Sequence, residues 1–333
     1  MSFFEDFCSA INPNNALTYI DIGAMGGVSS YWQNLSKYTH VIGFEPDERE
    51  FAKLKSSKSI TYLPYALFHS AQEIHFYIAR DSGKSSIYRP NLSLLAEFPD
   101  SGRCETVEER IFPKERVKTL DQALWEGRVK DVDFIKLDTQ GSELDVLKGA
   151  LLTLGQVFGL EAEVEFVALY QGQHLFRDID AFLDAHGFQL MDLRRHFWKR
   201  NQRVNYIGRG QLVFGDALYM RRIDVFLNGV SQQTPHQITD KIRKAVTICM
   251  IYRIADYALA LLEDAHSRAL ITAENKKLWT IQIQKEASSW GLPYLWGRSF
   301  LAKAFNRCAE ILRPSSHLGW SDGDRFIGNI RNI

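Results

Sequence analysis

From residue 17 to about 222, short apolar runs alternate with amphipathic segments. That alternation commits the chain to a largely parallel sheet with helices on its faces, because parallel strands need long crossovers between them. "LTYIDI" reads as the first strand and "VSSYWQNLSKY" as its helix; "HVIGFE" is the second strand, followed by a helix through "DEREFAKLKSS". "SITYLPYALF" and "EIHFYIA" are extended. The polar stretch after them, "RDSGKSSIYRPNLSLLAEFPDSGRCETVEER", is too long for a simple connection and reads as an ordered functional loop or lid. "VDFIKLD" is a further strand. The helix after it, "SELDVLKGALLTL", carries Leu144, Leu147, Leu151 and Leu154 on one stripe, with Ser142 and Asp145 spaced like a capping box. "FGLEAEVEFVAL", the helix "DIDAFLDAHG", "FQLMDLR" and "GQLVFGDALYMRR" complete an α/β, Rossmann-like, seven-stranded doubly wound sheet.

Beyond Asp224 the βα alternation stops and the periodicity is helical. The boundary is placed near residue 222, giving a sheet domain of residues 1–222 and a helical C-terminal appendage of residues 223–333. Trp279, Trp290, Trp296 and Trp320 look exposed, suited to packing on the sheet domain or to contacts within a homo-oligomer.

Lys plus Arg number 40, as do Asp plus Glu, so no basic excess points to nucleic acid. The start, "MSFFEDFCSAINPNN", lacks the basic region of a signal peptide. The longest apolar run, "AVTICMIYRIADYALALL", holds Arg253 and Asp256, which argues against a transmembrane segment. Cys8, Cys104, Cys249 and Cys308 lie far apart and read as reduced thiols of a cytoplasmic protein, with no metal site implied.

The chemistry starts at "LTYIDIGAMGG". Gly23, Gly26 and Gly27 let backbone approach a ligand at the end of a strand, as in dinucleotide and nucleoside sites. The G-x-G-x-x-G pattern of NAD proteins is missing, because Met25 stands where the second glycine belongs. Asp21 is more telling. Its carboxylate would repel a pyrophosphate, whereas S-adenosyl-L-methionine brings an ammonium and a sulfonium that a carboxylate attracts. Glu45, 22 residues beyond Gly23 and closing "HVIGFEP", has the spacing at which an acid reaches ribose hydroxyls.

Five stretches then resemble class I, S-adenosylmethionine-dependent methyltransferases of the FkbM family: "YIDIGAMGG", "VIGFEPDEREFAKL", "RVKTLDQAL", "VDFIKLDTQGSELDVLKGA" and "EVEFVALYQGQHLFRDIDAFLDAHGFQLMDL". The resemblance spans roughly residues 17–194, and its fourth stretch is the most specific. It implies O-methylation of a hydroxyl on a sugar, glycan or natural product, and a donor site of Asp21, Gly23, Ala24, Gly27, Glu45, Pro46, Ala66 and Asp138. Two departures stand out. The family commonly has Asp-x-Glu-Gly after the fourth strand, but here it is Asp138-Thr139-Gln140-Gly141, and Met25 replaces a common asparagine.

A protonated sugar hydroxyl is a weak nucleophile, so a base has to take its proton during transfer. Asp138, at a strand's carboxyl end, is the first candidate and His174 the second, its ordinary pKa lying near neutrality. Ser86, Gln140, Glu165, Tyr170 and Gln173 are candidate acceptor-binding residues, and period-two spacing puts Glu163 on the same face as Glu165. Lys84, Ser85, Ser86 and Tyr88 suit a lid that excludes water. Two rival readings stay open. An NAD(P)-dependent sugar oxidoreductase would need the missing glycine pattern and a Tyr-x-x-x-Lys. A non-catalytic nucleoside-binding scaffold acting through the helical tail has Gln140 as its hint.

Overall fold

The computed structural model describes residues 7–8, 16–33, 35–201, 209–290, 297–312, 322–324 and 327. The main sheet is built from β1 (Leu17–Ile22), β2 (Thr39–Phe44), β3 (Ile60–Leu63), β8 (Phe134–Leu137), β9 (Gly159–Glu165), β10 (Phe188–Trp198) and β11 (Gln211–Arg221). Their spatial order is β10-β11-β9-β8-β1-β2-β3, with a two-residue strand, β12 (Asp322–Gly323), added beside β10. The pairs β1–β2, β2–β3, β1–β8 and β8–β9 are parallel, and β11 runs antiparallel to both β9 and β10. Strand β1 therefore lies where the chain order reverses. Ligands of open α/β sheets bind outside the carboxyl ends of strands at such a point. Between β3 and β8 lie the short pair β4 (Ala66–Leu67) and β7 (Val117–Lys118), and a hairpin of β5 (Ile74–Ala79) with β6 (Thr106–Phe112).

Side-chain alternation gives the central strands two unlike faces. Ile20, Ile22, Ile135, Leu137, Leu160, Ala162 and Val164 form one, packed under the helices Leu120–Glu126, Glu143–Lys148 and Phe176–Ala185. The other face is apolar only at its amino end, where Leu17, Tyr19 and Phe134 sit, and turns charged toward the carboxyl end with Asp21, Lys136, Glu161, Glu163 and Glu165.

The crossover helices expected after β1 and β2 shrink to Ser30–Gln33 and Glu48–Phe51. The apolar half of the second face is covered instead by the C-terminal helices Pro235–Ile251, Ala255–Ser267 and Ala273–Ser289. Ile242, Val246, Cys249 and Tyr252 share one core with Tyr19, Trp32 and Phe134, so the chain on both sides of residue 222 packs around a common interior. Lys241 and Lys244 lock this contact by bridging the buried Asp133 at 3.0 and 2.9 Å. Trp279 is fully buried, edge-on to Phe7 and under the Arg243 guanidinium, contrary to its exposed look in the sequence. Trp290 is half-buried, and Trp296 and Trp320 lie outside the described residues.

The leucine stripe after β8 belongs to two helices. Glu143–Lys148 stops at Gly149, and a second helix, Leu151–Leu154, leaves Leu151 exposed. A Cβ at Gly149 would strike the Phe68 carbonyl, so the break is where another segment passes closest. Ser142 makes no side-chain cap. Glu143 folds back instead, its carboxylate accepting from Thr139 N at 2.6 Å and Gly141 N at 3.0 Å.

Candidate active site

A cavity opens outside the carboxyl ends of β1, β2, β8 and β9. Phe44, Leu67, Phe76 and Ile87 make one end apolar; Glu45 and Pro46 stand on one wall; Asp138, Gln140 and Glu163 line the other end. Gly23 lines it too, at φ 76°, and a Cβ there would collide with the Asp138 carbonyl oxygen. The glycine thus brings the β1 turn against the β8 turn so that both can border one ligand.

Of the residues expected to hold the donor, Gly23, Glu45, Pro46, Ala66 and Asp138 line this cavity. Asp21 sits behind the wall, buried, its carboxylate 4.0 Å from the Lys136 ammonium. Ala24 is buried and donates its N–H to the Phe44 carbonyl at 3.0 Å, while Gly27, at φ 77°, faces the Tyr62 hydroxyl. Asp21 therefore does not border the cavity, and Ala24 and Gly27 shape the turn.

Gln140 is the hub of the other end. Its amide nitrogen donates to Asp138 Oδ1 at 2.9 Å and Glu163 Oε1 at 2.8 Å. Its amide oxygen accepts from the Lys84 ammonium at 3.2 Å and the Tyr170 hydroxyl at 3.0 Å. Two donors and two acceptor positions are all an amide has, and all are used. Carboxylates on one side and donors on the other leave only this orientation consistent. The backbone pays with a left-handed φ of 58°, uncommon for a residue with a Cβ. Ser86 Oγ holds that backbone by donating to the Gln140 carbonyl at 2.7 Å.

The segment expected to be a lid crosses the site. Ser82 Oγ donates to Glu50 at 2.5 Å on one side, and the Tyr88 hydroxyl donates to Asp145 at 2.6 Å on the other. Gln173 is buried with its side-chain oxygen on Tyr170 N, so Tyr170 and Gln173 brace the hub and neither lines the cavity. Glu165 is fully buried, and neither of its oxygens has a hydrogen-bond partner among the described residues. His174 does not line the cavity; its Nε2 lies 3.4 Å from the Lys148 ammonium.

Sequence reasoning missed Glu143, Glu161, Asp216 and Arg194. Glu161 takes hydrogen bonds from the Tyr31 hydroxyl at 3.0 Å and the Tyr252 hydroxyl at 2.9 Å, and Asp216 pairs with Arg194 at 2.7 Å. The available signal was the strict Glu–apolar alternation of "EAEVE", which puts three carboxylates on one face of β9.

Burial raises Asp21 to about 7, with Lys136 opposing and Asp138 and Glu161 adding to it. Burial likewise takes Glu45 to about 7. Glu143 also rises to about 7, and Glu163 and Glu165 rise well above the carboxylate range, desolvation leading in each. Lys136 goes the other way: burial pulls it down, but Asp138, Asp21 and Glu161 outweigh that and hold it charged.

These carboxyls keep protons in the folded state that the unfolded chain gives up near pH 4, so stability falls as pH climbs from about 4 through about 7. Asp133 and Asp216 are held low despite burial, by Lys241 and Lys244 and by His196 and Arg194, so they titrate below this window. We expect the melting midpoint of the ligand-free protein to drop by roughly 5 °C or more from about pH 6 to about pH 8. A midpoint that rises over that interval in calorimetric scans would contradict the assignment.

These groups suit S-adenosylmethionine. Apolar side chains flank space for a flat ring, Glu45 presents an oxygen beyond the one bonded to Asp47 N, and the far end is rich in carboxyl groups. A phosphate would meet the Asp138 carboxylate at that end.

A family model supports this reading. The family model described as a methyltransferase FkbM domain matches residues 21–190. Among solved structures, a SAM-dependent methyltransferase from Anabaena variabilis ATCC 29413 aligns at 12% identity and TM-score 0.31, over 66% of this chain and 82% of that one. A putative S-adenosylmethionine-dependent methyltransferase from Listeria monocytogenes aligns at 8% identity and TM-score 0.31, over 66% and 98%. No curated protein matches the sequence.

Proposed function

We propose, from the premise that this chain belongs to the FkbM methyltransferase family and takes S-adenosylmethionine as its donor, that it methylates a hydroxyl oxygen of a sugar, glycan or natural product. The donor supplies a methyl group on a sulfonium, whose leaving group needs no assistance. What remains for the protein is to hold the acceptor oxygen in line and to remove its proton.

The observation that carries this reading is the Asp138 carboxylate. It borders the cavity with its side chain one-third exposed, one oxygen fixed by Gln140 and the other 3.5 Å from Lys136. A carboxylate so oriented accepts a hydroxyl proton, and Lys136 moderates the local negative charge. Lys84, Ser85 and Glu163 supply the polar lining that a polyhydroxylated acceptor would use. Glu45 accepts hydroxyl groups of the donor's ribose, and the 82–88 segment keeps water from the reacting centre.

The test is transfer of labelled methyl from the donor to a panel of sugars, nucleotide sugars and hydroxylated natural products. Asp138→Asn should lower kcat roughly a hundredfold or more with donor affinity within a few-fold of wild type. His174→Gln run alongside identifies the proton acceptor. If His174→Gln carries the large loss and Asp138→Asn does not, the base is His174. Transfer only to nitrogen or carbon acceptors would refute the O-methylation reading.

A further inference from the structure

The helix Arg298–Leu312 lies outside the interior just described, and every described side chain on it, from Arg298 to Ala309, is exposed. Phe300 is 75% exposed, Phe305 71% and Leu301 54%. At 3.6 residues per turn, Phe300, Ala304, Cys308, Leu301 and Phe305 fall within an arc of about 140°. Arg307 borders that arc beside Phe300 and Arg298 borders it beside Phe305, with Lys303 on the opposite face. From Arg298 to Leu312 the helix holds three cationic residues and one acidic one, Glu310, whose helical position falls outside the arc and its borders.

From this we infer that the helix docks on an anionic lipid surface, lying in the plane of the interface with Phe300, Leu301 and Phe305 among the acyl chains. The charge pattern selects that occupant. A second copy of the same face would bring the bordering Arg298 and Arg307 against further arginines with no acidic position in the arc or at its borders, and like charges so placed oppose association. A bilayer surface offers the complement: hydrocarbon for the arc and phosphate for cations whose stems can run along its borders. The helix lies on the membrane rather than across it. Its 15 residues rise about 22 Å, short of the roughly 30 Å hydrocarbon core, and no described helix is long and apolar enough to cross. The inference is independent of the proposed methyl acceptor.

The test is sedimentation of the full chain with vesicles of phosphatidylcholine alone and of phosphatidylcholine containing about one-third phosphatidylglycerol. Binding to the anionic vesicles is expected, at least tenfold weaker on the neutral ones and in high salt. A Phe300→Ser/Phe305→Ser variant should lose roughly a hundredfold in partitioning, with its affinity for S-adenosylmethionine unchanged as evidence of folding. Lys303→Glu/Arg307→Glu should lose roughly tenfold on anionic vesicles alone. Cys308 gives a second readout. It is exposed while Cys8, Cys104 and Cys249 are buried, so a polarity-sensitive dye placed there should shift to the blue on vesicles. No binding to anionic vesicles, or binding indifferent to the phenylalanine changes, overturns the inference. So does a lipid-free dimer abolished by Phe300→Ser/Phe305→Ser, which would assign the face to a second copy.

Discussion

A Gln140→Glu variant is expected to lose methyl transfer by roughly two orders of magnitude and to melt well below wild type, although it restores the glutamate that the family resemblance implies at this position. The reason lies in which atoms surround this position. The amide nitrogen donates to Asp138 and to Glu163, and a carboxylate can donate to neither. Substitution leaves Glu163 without that donor in a site where burial already disfavours its charge, and adds a third acid beside it. Leaving a buried acceptor without its donor costs about 1–3 kcal/mol. Lys84 and Tyr170 would still bond residue 140, so the lid side survives while the acid side fails. Acidification should recover part of both losses, because a protonated glutamate regains one donor. A Gln140→Met variant removes the hub without adding charge, and its rate should not recover on acidification. Wild-type rates and midpoints for Gln140→Glu at neutral pH would show that the hub positions nothing.

The parts of this protein legible in its sequence are those with a local cause. The strands were readable because their alternation is strict, and Glu45 because acid, strand end and spacing coincide in "HVIGFEP". Asp138 was readable for the same reason, closing an apolar run before a glycine turn. What stayed hidden depends on partners distant in the chain. Nothing near Trp279 says that Phe7 and Arg243 will enclose it. Nothing near Gln140 announces Lys84 and Tyr170, which lie 56 and 30 residues away. The change of texture after residue 222 follows β11, the last long strand, although the two-residue β12 rejoins the sheet at Asp322–Gly323. It could not reveal that the helices beyond supply the layer that two short crossovers leave open, because helical periodicity identifies an apolar face without naming what covers it.

Binding of S-adenosylmethionine should release protons and tighten as pH rises through about 7, and Glu45→Gln should weaken it by roughly ten- to a hundredfold. Burial sets Glu45 and Asp21 near 7, so in the free protein each is largely protonated at pH 6. A bound donor favours the opposite state. Its ribose hydroxyls donate best to an ionised Glu45, and its cationic groups stabilise the charge on Asp21. Affinity therefore climbs with pH until both groups are ionised in the free protein, then levels off. Titration calorimetry in buffers of different ionisation enthalpy reads the released protons directly. The Glu45→Gln variant should release fewer and show a shallower slope. S-adenosylhomocysteine, which lacks the sulfonium charge, should also show a shallower slope in the unaltered protein, because less of the field at Asp21 changes on binding. NADH should not bind, since its pyrophosphate would meet carboxyl groups where the donor brings positive charge. A dissociation constant independent of pH between about 6 and 8, or proton uptake on binding, would mean that neither buried carboxylate takes part in holding the donor.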